Sequence, residues 1–257
     1  MEKSLSPNGK DYISCPRSEA PILGIYVKIY KFWKECLDVY QKGELGVYIV
    51  YGRILYEAFT KMTYLTIYKD FALREFRLTS YKNRINAYKK TKNIIDDVNL
   101  VRNIKLLDNL NADGFTIEDL KVTSSKSFKT ISELVDKTYT QEEKDLIYTL
   151  IYGLSSDAIH SDWGEILQIH LNDNGNGMMT PNINEKKYNH YRIILPIADI
   201  VSQSIKSFIS YVNDIKTIIY VGDDLISMAA EIQRILRLIF EHIKDEYEKI
   251  PDKYLTI

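Results

Sequence analysis

The sequence predicts an all-α protein, and three observations carry that prediction. Apolar residues recur at intervals of three and four through most of the chain, which is the spacing of a helix with one buried face. Glycine (11) and proline (6) are scarce among 257 residues, whereas a turn-rich β-protein uses both heavily. Cap and stop residues stand at the ends of the periodic stretches. We therefore expect a single bundle-like domain of about seven to nine helices.

The first half of the chain predicts a leader followed by four helices. Residues 1–20 mix Ser, Pro, Gly and charged residues, so they are expected to form a flexible leader. Gly43 ends the first helix, and the second places Val47, Leu55 and Met62 on its buried face. The third helix is basic, and the fourth ends at the turn signal Asn111-Ala-Asp-Gly114. The predicted ranges are 21–42, 44–69, 71–92 and 96–110.

The second half predicts shorter helices first and two long helices at the end. Thr116 is expected to cap a short helical turn, and a further short helix starts at Ser127 or Thr130 and runs to Lys137. Thr140 and Glu143 form a capping box for the next helix. The glycine-rich stretch 172–182 is the tip of a small β-hairpin if the preceding residues are extended. The remaining predicted ranges are 140–159 for the helix, 165–183 for the hairpin, and 185–217 (kinked at Pro196) and 222–249 for the long helices.

Composition restricts the domain organisation and the classes of function. No linker or internal repeat divides residues 21–257, so one helical domain is predicted after the leader. The net charge of -1 gives no global attraction to nucleic acid or to an anionic membrane. With two cysteines, no signal peptide pattern and no long apolar run, we expect a cytoplasmic protein without membrane contact. A P-loop and a dinucleotide fingerprint are both absent, so no cofactor is predicted.

A polar cluster at the end of the helix 140–159 is the first candidate site. Asp157 and His160 are three residues apart and Ser156 is four before the histidine, so the three share one helical face. A carboxylate beside an imidazole fixes its tautomer, as a general acid or base requires. Two alternatives stay open: a hydrogen-bond network that ends the helix and, with Asp162 and His170, a metal site of no recognised spacing. If the cluster is a site, His160 and Asp157 are its candidate catalytic residues, and no metal ligand is assigned.

Arg53 and Glu57 form the second candidate constellation. Their spacing of four allows them to pair on one helix, and apolar neighbours shield part of the pair from water. A shielded charge is often kept for a partner or a function, because pairing alone rarely recovers its desolvation cost. The alternative is a structural strut between helices. The functional interpretation adds both residues to the catalytic set of His160 and Asp157.

The basic third helix carries the third candidate. Four of its residues repeat at spacings of four, three and four and so lie on one stripe, two guanidinium groups and two tyrosine rings: Arg77, Tyr81, Arg84 and Tyr88. Guanidinium groups bind phosphates and aromatic rings stack on unpaired bases, so this stripe predicts a surface for single-stranded RNA. The alternative is an amphipathic helix whose tyrosines face the core.

Two segments together resemble a known family. They are GRILYEAFTKMTYL (Gly52–Leu65) and LIYTLIYGLSSDAIHSDW (Leu146–Trp163), and they are similar to the bacterial family called domain of unknown function 5677. The resemblance implies a helical fold and marks Arg53, Glu57, Tyr152, Ser155 or Ser156, and His160 as residues that converge. The helical outline is also similar to the HEPN nucleases of toxin and phage-defence systems, although their Arg-to-His signature on one helix is absent.

Three hypotheses about function follow. The first is a bacterial defence or stress protein that acts on RNA as a HEPN-like ribonuclease, with His160 as acid or base, Asp157 orienting it and Arg53 steadying the phosphate. The second is a non-catalytic binding or regulatory module, with another protein or a second copy of the chain as its partner. The third is a metal-dependent hydrolase. The sequence leaves open whether the protein is an enzyme.

Overall fold

The computed structural model describes Leu5 and residues 14–91, 97–123, 130–141, 144, 154–160, 163, 166–173, 175, 178–182, 191–214 and 223–248. Within these residues the helices with assigned bounds are α1 (Ala20–Lys42), α2 (Leu45–Thr91), α3 (Asp97–Ala112), α4 (Ile117–Val122), α5 (Ile131–Thr138), α6 (Leu154–His160), α7 (Tyr191–Asp214) and α8 (Asp223–Glu248). A π-helical turn, Ile166–His170, leads into β1 (Leu171–Asp173), which pairs antiparallel with β2 (Met179–Pro181). The predictions of an all-α fold and of a small hairpin are confirmed.

Local chemistry explains most of the observed helix ends. Gly43 and Gly114 adopt positive φ angles of 79° and 74° where α1 and α3 end, a conformation that glycine takes without steric cost. Thr116 and Thr130 each complete a capping box with the acidic residue three positions on, Asp119 and Glu133. Of the two predicted starts for the short helix α5, Thr130 is therefore the cap.

The predicted second and third helices are continuous in α2, apart from a break at Lys69. Lys69 has φ 42° and ψ -130°, so the helix changes direction there. This conformation strains a residue that has a Cβ, and the surrounding structure must compensate for it. The predicted boundary between residues 69 and 71 lies at this kink, so the position of that boundary is confirmed.

The chain divides into two compact units, each assembled from separate stretches of sequence. Unit 1 comprises residues 1–13, 26–59 and 145–257, and unit 2 comprises residues 14–25 and 60–144, in both cases as far as these residues are described. The single domain over residues 21–257 stays a prediction. Arg17, which lies within the predicted leader, forms an ion pair with Asp113 of unit 2.

The core of unit 1 forms where α7 packs on α1 and α2. The rings of Tyr26 and Phe208 are stacked, with centroids 3.9 Å apart and planes 6° apart, and both are fully buried. Gly52 of α2 lies so close to α7 that a Cβ there would be 2.7 Å from Cδ1 of Ile197. The prediction that Val47 faces inward is wrong, because this side chain is exposed while the neighbouring Tyr48 is buried.

The core of unit 2 brings the second half of α2 against α3 and α4. Its buried side chains are Leu78, Leu110, Phe115 and Leu120, with Tyr81, Ile85 and Leu107 packed at their margin. Tyr81 meets Phe115 edge to face at a centroid distance of 6.4 Å. Burial of this apolar set fixes the turn between α3 and α4 beside the basic stripe, because Phe115 lies in that turn.

The helix α7 is long and strongly apolar. Length and composition alone would let its stretch Ile193–Asp214 cross a membrane, a property shared with buried core helices, and half of that stretch is buried. Pro196 lies inside the second turn of α7, where its ring removes one backbone N–H donor. Ser202 and Ser204 are buried on the same helix and donate hydrogen bonds to Ala229 O and Ile200 O.

Several predicted features lie outside the described residues. They are the loop at 124–127, the partner Glu143 of the proposed capping box, and most of the helix 140–159. Of that helix, Thr140, Gln141, Lys144 and the last part, which lies in α6, are described.

Candidate functional site

Arg53 and Glu57 are brought together on α2 as predicted. Nε of Arg53 donates a hydrogen bond of 3.1 Å to Oε1 of Glu57, and the two side chains are 16% and 30% exposed. The neighbouring Gly52 holds this turn of α2 against Ile197 of α7. The pair is thus shielded on one side by helix packing and reaches solvent on the other, which suits either a strut or a ligand contact.

His160 is the last residue of α6, and its side chain is exposed. Ser156, one turn earlier, is partly buried, and Asp157 lies within the same helix. Because α6 is helical at these positions, Asp157 and His160 share one face of it. The side chains of Ser155 and Asp157 and the whole of Asp162 lie outside the described residues. An accessible imidazole at a helix end can exchange protons with a ligand.

Exposed apolar side chains accompany His160 in the chain. Trp163 is 62% exposed, Ile159 is exposed beside the histidine, and Met178 is exposed next to strand β2. His170 ends the π-helical turn and is exposed as well. The segment that carries the candidate histidine therefore presents both a titratable ring and large apolar groups to solvent.

These two constellations belong to the same compact unit, unit 1. The structure brings Arg53 to Glu57, and it places Asp157 and His160 in one short helix. Convergence of Arg53 with His160 stays a prediction.

Half of the predicted RNA-binding stripe is engaged inside unit 2. Arg77 Nη1 lies 3.5 Å from Oδ1 of Asp113, and the hydroxyl of Tyr81 donates to Oδ2 of the same carboxylate. The guanidinium of Arg77 also lies 4.9 Å from the ring centroid of Phe115. Within unit 2 these two side chains therefore help to fix the turn between α3 and α4.

The other half of the stripe is more open to solvent. Arg84 is exposed and Tyr88 is partly buried near the end of α2. Lys89 and Lys90, also exposed, occupy the last turn of the helix. Positive side chains near a helix C-terminus are stabilised by its dipole, and they are available to a phosphate-bearing ligand.

The buried carboxylate of Asp113 is the centre of a side-chain network that the sequence did not predict. The Asp113 side chain is 4% exposed and also accepts a hydrogen bond of 2.5 Å from Nε of Arg17. Arg17 Nη2 donates to Oδ1 of Asn109 at 2.7 Å. The motif Asn-Ala-Asp-Gly identified a turn, but nothing local indicated that its carboxylate would collect side chains from residues 17, 77 and 81. We call Arg17, Arg77, Tyr81, Asn109 and Asp113 the Asp113 network.

The electrostatics of unit 2 follow from this network and from the α4 cap. Burial raises the pKa of the Tyr81 hydroxyl, and its hydrogen bond to Asp113 raises it further. The hydrogen bond to Asp113 raises the pKa of Arg17. Hydrogen bonds from the backbone and side chain of Thr116 lower the pKa of Asp119. The folded state thus stabilises the positive charge of Arg17 and the negative charge of Asp119.

Metal ligands and nucleophiles are the remaining groups that could carry chemistry. Among the described residues, no group of three His, Cys, Asp or Glu side chains is placed to hold a metal ion. Asp157 and Asp162, two of the ligands considered from sequence, have side chains outside those residues. Burial raises the pKa of the Cys36 thiol to about 12, so this cysteine is a core side chain and a poor nucleophile.

Fold and motifs together define a helical protein with a half-shielded Arg-Glu pair and a solvent-exposed histidine. The chain belongs to the family of unknown function DUF5677, whose family model matches residues 19–178. This confirms the resemblance on the Arg53/Glu57 and His160 segments, which both lie inside the matched region. Helices α7 and α8 lie beyond it. No curated protein and no solved structure matches the chain.

Proposed function

We propose that the protein acts on RNA, cleaving it at a site where His160 serves as general acid or base. The observation that carries this proposal is the exposed imidazole of His160 at the end of α6, inside the family-matched region. A solvent-accessible imidazole can both accept and donate a proton, which is what general acid-base catalysis requires.

The Arg53–Glu57 pair supplies the electrostatic part of the proposal. Glu57 accepts from Nε and so fixes the plane of the Arg53 guanidinium on a rigid helix. A fixed guanidinium stabilises charge on a phosphate more effectively than a mobile cation, because little reorganisation is needed. In this proposal Arg53 steadies the scissile phosphate, and Asp157 orients the imidazole from the same face of α6.

The proposed reaction is an internal transesterification. The RNA 2′-oxygen forms a new bond to phosphorus as its proton leaves to a base, and the bond from phosphorus to the 5′-oxygen breaks as that oxygen receives a proton. The products are a cyclic phosphate and a free 5′-hydroxyl, so no oxidant, reductant or added nucleophile is consumed. His160 is assigned to one of the two proton transfers.

Strand binding is proposed for the exposed end of the basic stripe. Because Arg77 and Tyr81 contact Asp113, the contribution to RNA binding falls mainly to Arg84, with Tyr88 as a stacking ring and Lys89 and Lys90 beside it. Cation contacts to phosphates make such binding weaker at higher salt.

A gel assay on end-labelled single-stranded RNA tests the catalytic proposal. Wild-type protein should cleave the strand, His160→Ala should lose nearly all activity, and a substrate with 2′-deoxyribose at the cleaved position should resist. The matched control is His242→Ala, because His242 is an exposed histidine on α8 outside the family-matched region. Wild-type protein without activity, or equal losses in both variants, would refute the proposal.

The second candidate function is a non-catalytic binding module. It is favoured by the Asp113 network, in which two side chains of the proposed RNA surface have a structural role. On this hypothesis Arg53→Ala lowers the melting temperature, as loss of a strut would. Neither the wild-type chain nor His160→Ala cleaves RNA. Arg53→Lys separates the two candidates, since it keeps the charge and removes the fork that a phosphate contact needs.

A further inference from the structure

The helix α8 has one face packed against the rest of unit 1. Ala229 and Leu236 are buried, and Ser202 of α7 donates a hydrogen bond of 3.2 Å to the carbonyl of Ala229. Lys206 of α7 donates to the side chain of Gln233 at 2.7 Å. These contacts fix the rotation of α8 about its own axis, and so determine which side chains face away from α7.

A stripe of large apolar residues lies on another face of α8 and is open to solvent. Met228, Ile232, Ile235 and Leu238 are 54%, 41%, 45% and 51% exposed. Their spacings of four, three and three keep them on one side of the helix, adjacent to the buried face. Four large apolar side chains along one side of a helix form a patch, whereas an ordinary surface exposes such side chains singly. We call these four residues the α8 stripe.

The charges of α8 argue against nucleic acid or an anionic membrane as the partner. The helix contains seven acidic and three basic residues, so it would be repelled by phosphate. Membrane-surface helices commonly have a polar face rich in Lys and Arg, whereas acidic residues outnumber basic ones on this helix. A protein surface of mixed charge fits it better.

The stripe is complementary to itself when a second copy is reversed. A two-fold axis through the middle of the stripe would place Met228 opposite Leu238 of the second copy and Ile232 opposite Ile235. The same axis, within about one residue, would bring Glu231 beside Arg234 of the other copy. In a parallel arrangement of the two copies, Glu231 would lie beside Glu231 and Arg234 beside Arg234. Opposed helix dipoles favour the reversed arrangement as well.

We propose that a second copy of this chain packs antiparallel on the α8 stripe and forms a two-fold symmetric dimer. Glu231 and Arg234 already form an ion pair at 2.7 Å within one helix, and in the dimer the four charges lie together across the axis. The stripe is short, so the interface falls at the small end of specific interfaces, below about 1,200 Å² in total. The dimer should therefore dissociate on dilution.

Sedimentation equilibrium over a range of concentrations tests the dimer. The full-length wild-type chain should show a reversible monomer-dimer equilibrium, and Ile235→Glu should raise its dissociation constant roughly tenfold or more. Val122→Glu is the control, because Val122 is also an exposed apolar residue but lies on α4. Circular dichroism spectra and melting temperatures of all variants establish that each is folded.

A charge-swap series tests the antiparallel arrangement. Glu231→Arg and Arg234→Glu should each weaken the dimer, since each places like charges across the axis, and the double variant should restore it. Contact with a different protein would not be restored by the double swap. A monomer at every concentration, a dimer insensitive to Ile235→Glu, or a double variant as weak as the single ones would overturn the proposal.

Discussion

Asp113 shows how one side chain can hold several parts of a unit together. Its carboxylate is almost fully buried and contacts Arg17, Arg77 and Tyr81, which come from three separated positions in the sequence. Such a carboxylate is stabilised by charge-assisted hydrogen bonds, and its removal leaves the largely buried guanidinium of Arg77 without a counter-charge.

Replacement of Asp113 by Asn should therefore be costly. The variant keeps the shape of the side chain but removes the charge that Arg77 and Arg17 share, so we expect the free energy of unfolding to fall by about 3 kcal/mol. Urea denaturation measures this loss as a lower midpoint. Glu118→Gln serves as the control, since Glu118 is an exposed carboxylate paired with Lys121 in the same unit, and its midpoint should not move. Equal midpoints for both variants would show that the Asp113 network is not important for stability.

Asp199 on α7 illustrates the opposite case, a carboxylate whose charge is disfavoured. Burial raises the pKa of Asp199, and the hydrogen bond of 2.6 Å from Gln203 together with nearby Lys206 and Arg237 only partly offsets that rise. A raised pKa means that the folded state binds the proton more tightly than the unfolded state. The stability that protonated Asp199 contributes is complete below the pKa of this group in the unfolded state. It is lost as the pH rises through the pKa of the group in the folded state.

Asp199→Asn should consequently stabilise the protein at neutral pH. The amide cannot ionise but can still accept from Gln203, so the melting temperature should rise above the wild-type value near pH 7 and equal it near about pH 3. Melting curves across this pH range provide the measurement. A variant that is less stable at neutral pH would indicate that the ionised form is needed.

At the level of elements, the contact between α2 and α7 depends on the absence of a side chain at position 52. Glycine is unfavourable within a helix, so Ala at this position would normally increase stability. Here the added Cβ would lie 2.7 Å from Cδ1 and 3.2 Å from Cγ1 of Ile197, a residue that is buried and has little room to move. Close helix packing thus outweighs helix propensity.

A double-mutant cycle tests this argument. We expect Gly52→Ala to lower the free energy of unfolding by about 1–2 kcal/mol through overpacking. In the background of Ile197→Val, which lacks Cδ1, the same substitution should cost clearly less. Unfolding midpoints of the four proteins give the coupling. If Gly52→Ala costs the same in both backgrounds, Ile197 is not the obstacle.

At the level of the whole molecule, the family-matched region does not contain all of its own packing partners. Residues 19–178 include the whole of α1 and α2, but α7 and α8 follow later in the chain. The buried ring of Tyr26 stacks on Phe208, and Gly52 contacts Ile197. Unit 1 therefore needs segments from both sides of the boundary at residue 178.

A chain that ends at Met178 should fail to fold cooperatively. Loss of α7 would expose the apolar faces of α1 and α2 that Phe208 and Ile197 cover, and hydrophobic burial is the main stabilising contribution to folding. We expect a broad thermal transition by circular dichroism and strong binding of a hydrophobic dye. The full-length chain is the reference, and Phe208→Ala should lie between the two. A sharp transition in the shortened chain would contradict this prediction.

The sequence by itself determined the features that depend on local chemistry. The helical class, the ends at Gly43 and Gly114, the caps at Thr116 and Thr130, and the break near Lys69 could all be read from residues within one or two turns of each position. The spacing of Arg53 and Glu57 also predicted their pairing, since residues four apart on a helix are neighbours.

Only the tertiary structure decided what lies opposite each side chain. Asp113 contacts side chains that are separated from it by 32 or more positions, and no local pattern predicts such long-range contacts. The same holds for Gly52 against Ile197 and for the exposed stripe on α8, whose burial depends on which face α7 takes. Apolar periodicity shows that a helix has a buried side, but the partner across that side is set by packing of distant segments.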